Sequence, residues 1–273
     1  VAHRLHGLLG THRRRRSWDL ALSLYDEDLE IDIDAAEYLH RHEGGKWDGM
    51  HAFFMANPGV LDRYDYFWLV DDDIEATAGQ VDGMFAYAAA HRFELAQPAL
   101  TPDSFYSHRL TLQCEPFAHR HTNFVELMMP VFSRSLLSQV LHFFANTRSG
   151  LGLDWIWHRF AANPDRSVAI IDAVAMPHYR PLNRHLRGRL AREGVSAHDE
   201  RQRAVREWGA RRVYPVAFAG ELADGTRVDS RATMARLMTG HYWVNRQRIE
   251  RPRWRWRDYF IFAIRQSMSR RSG

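Results

Sequence analysis

Apolar residues along this chain fall into short blocks, each closed by charged residues or by Pro and Gly, and the blocks alternate between strand-like and helix-like composition. Residues 18–25 (WDLALSLY) read as a strand running into Asp26, Glu27 and Asp28. Residues 47–56 predict a short helix stopped at Asn57-Pro58. Residues 64–70 (YDYFWLV) are aromatic and β-branched and end in Asp71-Asp72-Asp73, a run whose length fits a strand covered on both faces. A helix over 79–91 and a strand over 95–100 follow, with Pro98 weakening the strand's far end. Residues 125–132 predict another strand, broken by Pro130, and Ser133 or Ser135 caps a helix over 135–146. Asp154 opens a further helix that stops at Asn163-Pro164, and 167–174 is the last clear strand of this part.

Alternating strands and helices predict an α/β fold, with a mostly parallel central sheet flanked by helices on both faces. Past about residue 183 the character shifts. Residues 184–212 are Arg-rich with helical spacing, 216–228 read as a hairpin turning at Asp224-Gly225, and 251–273 are basic and aromatic. The expected organisation is therefore a body over 1–183 and a mainly helical, basic C-terminal extension over 184–273 packed on it.

Composition narrows the classes. In 273 residues, 45% are apolar, enough for a large core and against global disorder. One cysteine, Cys114, excludes an intrachain disulfide and a Cys-rich zinc site. The 37 basic residues nearly balance 33 acidic ones, and Lys46 is the sole lysine. That near-balance argues against a nucleic-acid partner. No apolar run reaches bilayer length and no signal-peptide pattern is present, so the expected location is cytoplasmic. The chain starts at Val1 and so reads as a fragment.

The acidic run carries the chemistry. Parallel α/β sheets bind ligands at the carboxyl ends of strands, where Asp71, Asp72 and Asp73 stand. Adjacent carboxylates repel and need a cation or strong donors; otherwise the run is a solvated turn. Strand alternation would put Asp71 and Asp73 on one face, around a hard cation such as Mg²⁺ or Mn²⁺ that grips substrate phosphates. Lys46, after Gly44-Gly45, is either a phosphate-side ammonium in a tight turn or simply part of the turn. Glu126 is a carboxylate inside an apolar run and needs a partner or a purpose.

The segments WDLALSLYDED (18–28), KW (46–47), YDYFWLVDDDIE (64–75), LAQPAL (95–100), FVELMMPVFSR (124–134), GLGLDWIW (150–157) and VAIIDAVAMPHYRP (168–181) together resemble a family of plant and bacterial proteins known as domain of unknown function 707. The triple aspartate resembles the Asp-x-Asp motif of GT-A fold glycosyltransferases. The resemblance covers about two thirds of the chain in order. It implies a GT-A-like fold and transfer of a sugar from a nucleotide-diphosphate donor to a hydroxyl of a glycan or lipid-linked acceptor, with Mn²⁺ or Mg²⁺. By the same resemblance Asp71, Asp73 and His178 hold the metal, and Asp72 faces sugar or ribose. Asp154 is the general base, although as a residue it equally suits a helix N-cap. Glu126 is a second catalytic candidate that binds acceptor hydroxyls, Gln97 faces the acceptor, and Asp26 contacts the nucleotide or is exposed. A first strand feeding the nucleotide site is also implied, and the stretch before the basic turn at 11–16 is a poor candidate for it.

The tail interleaves Trp254, Trp256, Tyr259 and Phe260 with Arg251, Arg253, Arg255 and Arg257. It reads either as a helix packed on the body with its arginines in water or as a peripheral membrane contact. Two other functions fit the residues: another metal-dependent phosphate enzyme (a nucleotidyltransferase or hydrolase), and a non-catalytic binding protein.

Overall fold

The computed structural model describes residues 16–24, 36–181, 194–249 and 255–268. Asp26 and the stretch expected to carry a first strand lie outside these residues. Strands β1 (Ala21–Leu24) and β2 (Tyr38–Arg41) pair in parallel as a small separate sheet. The main sheet has seven strands: β3 (Tyr66–Trp68), β4 (Leu95–Leu100), β5 (Phe117–Thr122), β6 (Val131–Ser133), β7 (Val168–Met176), β8 (Ala217–Leu222) and β9 (Arg227–Val228). Their spatial order is β3-β6-β4-β7-β5-β8-β9.

The fold is α/β with a large mixed sheet, and this corrects the expectation of a mostly parallel one. Only β4 and β7 pair in parallel; the other described pairings of the main sheet are antiparallel. Apolar runs report burial but not strand direction, so alternation with helices over-predicts parallel crossovers. One consequence of parallel topology nevertheless survives. β6 is antiparallel to both β3 and β4, so β3, β4 and β7 all point the same way. Their carboxyl ends share one edge, and the segment entering β6 arrives at that edge too.

Helices α1 (Lys46–Ala56), α2 (Ala78–His91), α3 (Arg134–Val140), α4 (Ala197–Glu207), α5 (Arg231–Val244) and α6 (Arg255–Met268) surround the sheet. α2 starts at a full capping box, Thr77 with Gln80. Gln80 also donates to the Ala175 carbonyl of β7 at 2.9 Å, fixing helix to sheet. Ser133 caps α3 by accepting from Leu136 N–H at 3.2 Å, one of the two expected caps. Trp47, Phe54, Phe132, Phe144 and Trp157 form a buried aromatic core beside α1 and α3, while Met84, Ile170, Met234 and Tyr242 belong to the core under α2 and α5.

Two further expectations change. The apolar run at 125–132 is a strand only from Val131; before it the backbone is buried but irregular. Asp154 opens no α-helix, since 153–160 forms two 3₁₀ turns. The hairpin at 216–228 is as expected, and it adds β8 and β9 to the main sheet. The C-terminal third thus completes the body's sheet as well as packing helices on it. Cys114 is free and buried.

Candidate active site

The end of β3 builds the acidic recess. The backbone stays strand-like through Asp71, whose N–H donates to the Met128 carbonyl at 2.8 Å. It then turns, with Ile74 N–H reaching back to the Asp71 carbonyl at 3.4 Å. The turn fans the three carboxylates toward three different basic partners. Asp71 Oδ1 lies 2.7 Å from Lys46 Nζ, Asp72 Oδ1 lies 3.2 Å from Arg180 Nη1, and Asp73 Oδ2 lies 3.2 Å from His178 Nε2. The Asp71 side chain remains 37% exposed, so the recess opens to solvent.

His178 is held from behind. Its N–H donates to Ser104 Oγ at 3.0 Å, and its Nδ1 lies 2.7 Å from the Phe105 carbonyl. A carbonyl can only accept, so Nδ1 carries a proton and Nε2 is the nitrogen turned toward Asp73. Burial alone would lower the His178 pKa, but the Asp73 carboxylate and the Phe105 carbonyl raise it. Burial would raise Asp73, yet His178 and Arg180 hold it below its usual value. Asp73 Oδ1 is buried with no hydrogen-bond partner.

Lys46 donates to the Leu127 and Met128 carbonyls at 2.8 and 3.2 Å as well as meeting Asp71. Burial works against both charges of this pair, moving Lys46 down and Asp71 up, and their mutual attraction offsets part of each shift.

Two more carboxylates belong to the same neighbourhood. Glu126, just before β6, is buried, and burial pushes it up to about 7 against the Ser107 and Thr111 hydroxyls and the His178 charge. Asp154 is also buried and pushed up to about 7, first by burial and then by the charge of Glu126, while the Gly152 and Asp154 backbone N–H groups pull it down. Glu126 Oε2 and Asp154 Oδ1 have no partner. Such oxygens cost free energy unless water or a bound group meets them.

Local sequence explains how Asp154 is presented. Gly150 and Gly152 both have left-handed backbone, φ 70° and φ 108°. A Cβ on Gly150 would stand 2.1 Å from Trp47 Nε1, so glycine is needed there for space as well as conformation. Glu200 of α4 clamps this loop, accepting from Arg148 N–H and Ser149 N–H at 2.9 Å each and from Thr147 Oγ1 at 3.2 Å.

The structure therefore brings together Lys46, Asp71, Asp72, Asp73, Glu126, Asp154 and His178. It does not assemble Asp71 with Asp73 and His178 as a three-ligand set. The turn, rather than strand alternation, aims Asp71 at Lys46. Gln97 is corrected outright: it is wholly buried, and its Oε1 accepts from Glu126 N–H at 2.6 Å. It positions the Glu126 backbone. Arg180, Ser104 and Glu200 are site-supporting residues that the sequence reading missed. Arg180 stands next to the His178 segment and was within reach; Glu200 and Ser104 act over 51 and 74 positions, with no local signal.

No protein-family model matches the chain, and no curated protein matches it.

Proposed function

We propose that this chain is a metal-dependent glycosyltransferase with a GT-A-like fold, related to the domain of unknown function 707 family, moving a sugar from a nucleotide-diphosphate donor to a hydroxyl acceptor. The observation that carries the reading is the pairing of Asp73 with His178 Nε2, beside an unpartnered Asp73 oxygen and two buried carboxylates poised near neutral. The donor set fits a hard or borderline dication that keeps several waters: one aspartate, and one imidazole whose other nitrogen is fixed by a carbonyl. The imidazole favours Mn²⁺ over the all-oxygen preference of Mg²⁺. Bound there, the cation would neutralise the diphosphate as it leaves.

The chain's own residues supply the rest. Arg180 and Lys46 border the acidic turn and offer positive charge to phosphate oxygens. Asp154 takes the proton from the attacking hydroxyl, and Glu126 orients the acceptor by accepting from a neighbouring hydroxyl. Gln97 fixes the backbone that carries Glu126.

Thermal unfolding tests the reading. Mn²⁺ with UDP or GDP is expected to raise the melting temperature, by the equivalent of ~2.7 kcal/mol at a hundred times Kd. Asp73→Ala and His178→Ala are expected to remove that shift. Absence of a shift with every nucleotide diphosphate sinks the proposal. Release of free sugar in place of transfer would identify a hydrolase instead.

The acceptor side of the proposal is a lipid-linked or glycan hydroxyl at an anionic membrane surface. Among the described residues no helix is long and apolar enough to cross a membrane. α6 is docked on one side: Asp258 pairs with Arg109 at 2.8 Å, and Gln266 accepts from Ala217 N–H at 3.0 Å. On the other side Trp256, Phe260, Ile264 and Met268 are spaced four apart, and all four are exposed. This apolar stripe lies among Arg257 and Arg265, a composition that suits an interfacial helix. Phe260→Glu with Ile264→Glu is expected to abolish flotation with anionic liposomes and to leave the melting temperature unchanged. Equal flotation of both proteins would remove the membrane contact.

A further inference from the structure

We propose that His91, His119 and Glu221 form a second metal site, separate from the acidic recess and suited to a transition-metal dication of the Zn²⁺ type. Each residue offers one ligand atom, and the three atoms lie within 4.8 Å of one another. A tetrahedral zinc shell needs such atoms about 3.4 Å apart, from metal–ligand bonds of roughly 2.1 Å, so modest side-chain rotation closes the set. The ligands come from three elements. His91 is the last residue of α2, while His119 and Glu221 face each other across the β5–β8 pairing. A bound ion would therefore tie α2 to the far half of the sheet.

The surroundings orient both imidazoles. His119 Nδ1 lies 2.9 Å from the Tyr87 hydroxyl. With Nδ1–H donating to that oxygen, Nε2 presents its lone pair, the outer-shell arrangement that metal-binding histidines use. His91 stacks on Tyr87 at 4.2 Å and on Phe93 at 5.4 Å, which holds its ring in place. His119 is buried, whereas His91 and Glu221 are half-exposed, so the site has one open side for entry and a fourth position for water. Two imidazoles and one carboxylate favour Zn²⁺, Co²⁺ or Ni²⁺ over the Mg²⁺ and Mn²⁺ expected at the aspartates.

The test uses the full chain carrying Asp73→Ala, which removes the acidic recess as a competing site. Zn²⁺ is titrated against a chromophoric chelator, and Co²⁺ absorption reports the coordination geometry. One equivalent of Zn²⁺ and the intense visible absorption of tetrahedral Co²⁺ are expected. Adding His91→Ala or Glu221→Gln, both at half-exposed positions, is expected to weaken binding at least tenfold, with the metal-free melting temperature unchanged. Tyr87→Phe, which deletes the orienting hydroxyl, is expected to weaken it about 10–100-fold. Zn²⁺ affinity unaltered by both His91→Ala and Glu221→Gln would overturn the proposal, as would no binding in the Asp73→Ala protein. Neither result bears on the nucleotide-linked shift of the parent chain, so the two readings fail separately.

Discussion

Replacing Asp172 with alanine is expected to destabilise the fold by about 3–5 kcal/mol, the cost of stranding a buried charge. Arg120 on β5 and Asp172 on β7 form a two-pronged ion pair at 2.7 and 2.8 Å, and both side chains are wholly buried. The remaining guanidinium donors reach the Leu110 and Leu112 carbonyls at 2.9 Å each and the Tyr242 hydroxyl at 3.1 Å. Asp172 also accepts from Cys114 N–H at 2.8 Å. Burial on its own would push Arg120 down, but Asp172 and the groups around it hold it above its usual value. Removing the carboxylate leaves a cation with no counter-charge and no water. For a chain of this size the loss corresponds to a fall in melting temperature of about 6–20 °C. Urea unfolding of Asp172→Ala, Arg120→Met and the double variant checks it. The double variant is expected to lose less than the sum of the singles, because it leaves no orphan charge. A loss of under about 1 kcal/mol in Asp172→Ala would show that Arg120 is not stranded as a buried charge.

That same pair explains what the sequence hides. β5 reads FAHRHT, with two histidines, an arginine and no apolar alternation, so nothing local predicts a central strand. It is buried because Arg120 finds Asp172 52 positions away and because His119 and His121 pack with Phe93. β3, β4 and β7 are legible because each is a largely apolar block, interrupted only by Gln97 in β4 and Asp172 in β7. The run at 125–132 is equally apolar but mostly irregular, since it must bend around Lys46, whose ammonium takes the Leu127 and Met128 carbonyls. At the site, the aspartates and His178 stand where strands end, which is why pattern and resemblance both reach them. The partner choice within the run follows from a turn of four residues. The sequence 71–74 does not distinguish that turn from continued strand, so Asp71 could not be assigned to Lys46 in advance. Gln97 misled because a polar residue in an apolar strand signals purpose without saying whether the purpose is a ligand or a neighbouring backbone N–H.

On the proposed glycosyltransferase reading, Asp154→Asn is expected to lower the rate of sugar transfer about 10²–10⁴-fold while leaving the Mn²⁺–nucleotide thermal shift intact, because the proposed base would act on the acceptor and not on the donor. Asparagine keeps the shape and cannot take a proton. The pH profile gives an independent reading. Asp154 rises from 3.8 to about 7 and Glu126 from 4.5 to about 7, so the parent rate should climb through neutral pH as the pair ionises and then level off. The apparent values belong to the pair, since the Glu126 charge helps to raise Asp154. Stability moves the opposite way. A buried carboxyl whose folded pKa is raised keeps a proton that the unfolded chain has already released. Its contribution is fully present below the unfolded value and is lost as pH rises through about 7, with a slope of up to ~1.4 kcal/mol per pH unit. Asp154→Asn cannot ionise, so it should gain stability on the parent chain across that window while it loses activity. A variant with both a slower rate and a higher relative stability above neutral pH is the signature of a group held under strain for chemistry. An Asp154→Asn protein that transfers sugar at the parent rate would move the base elsewhere, with Glu126→Gln as the next variant to measure.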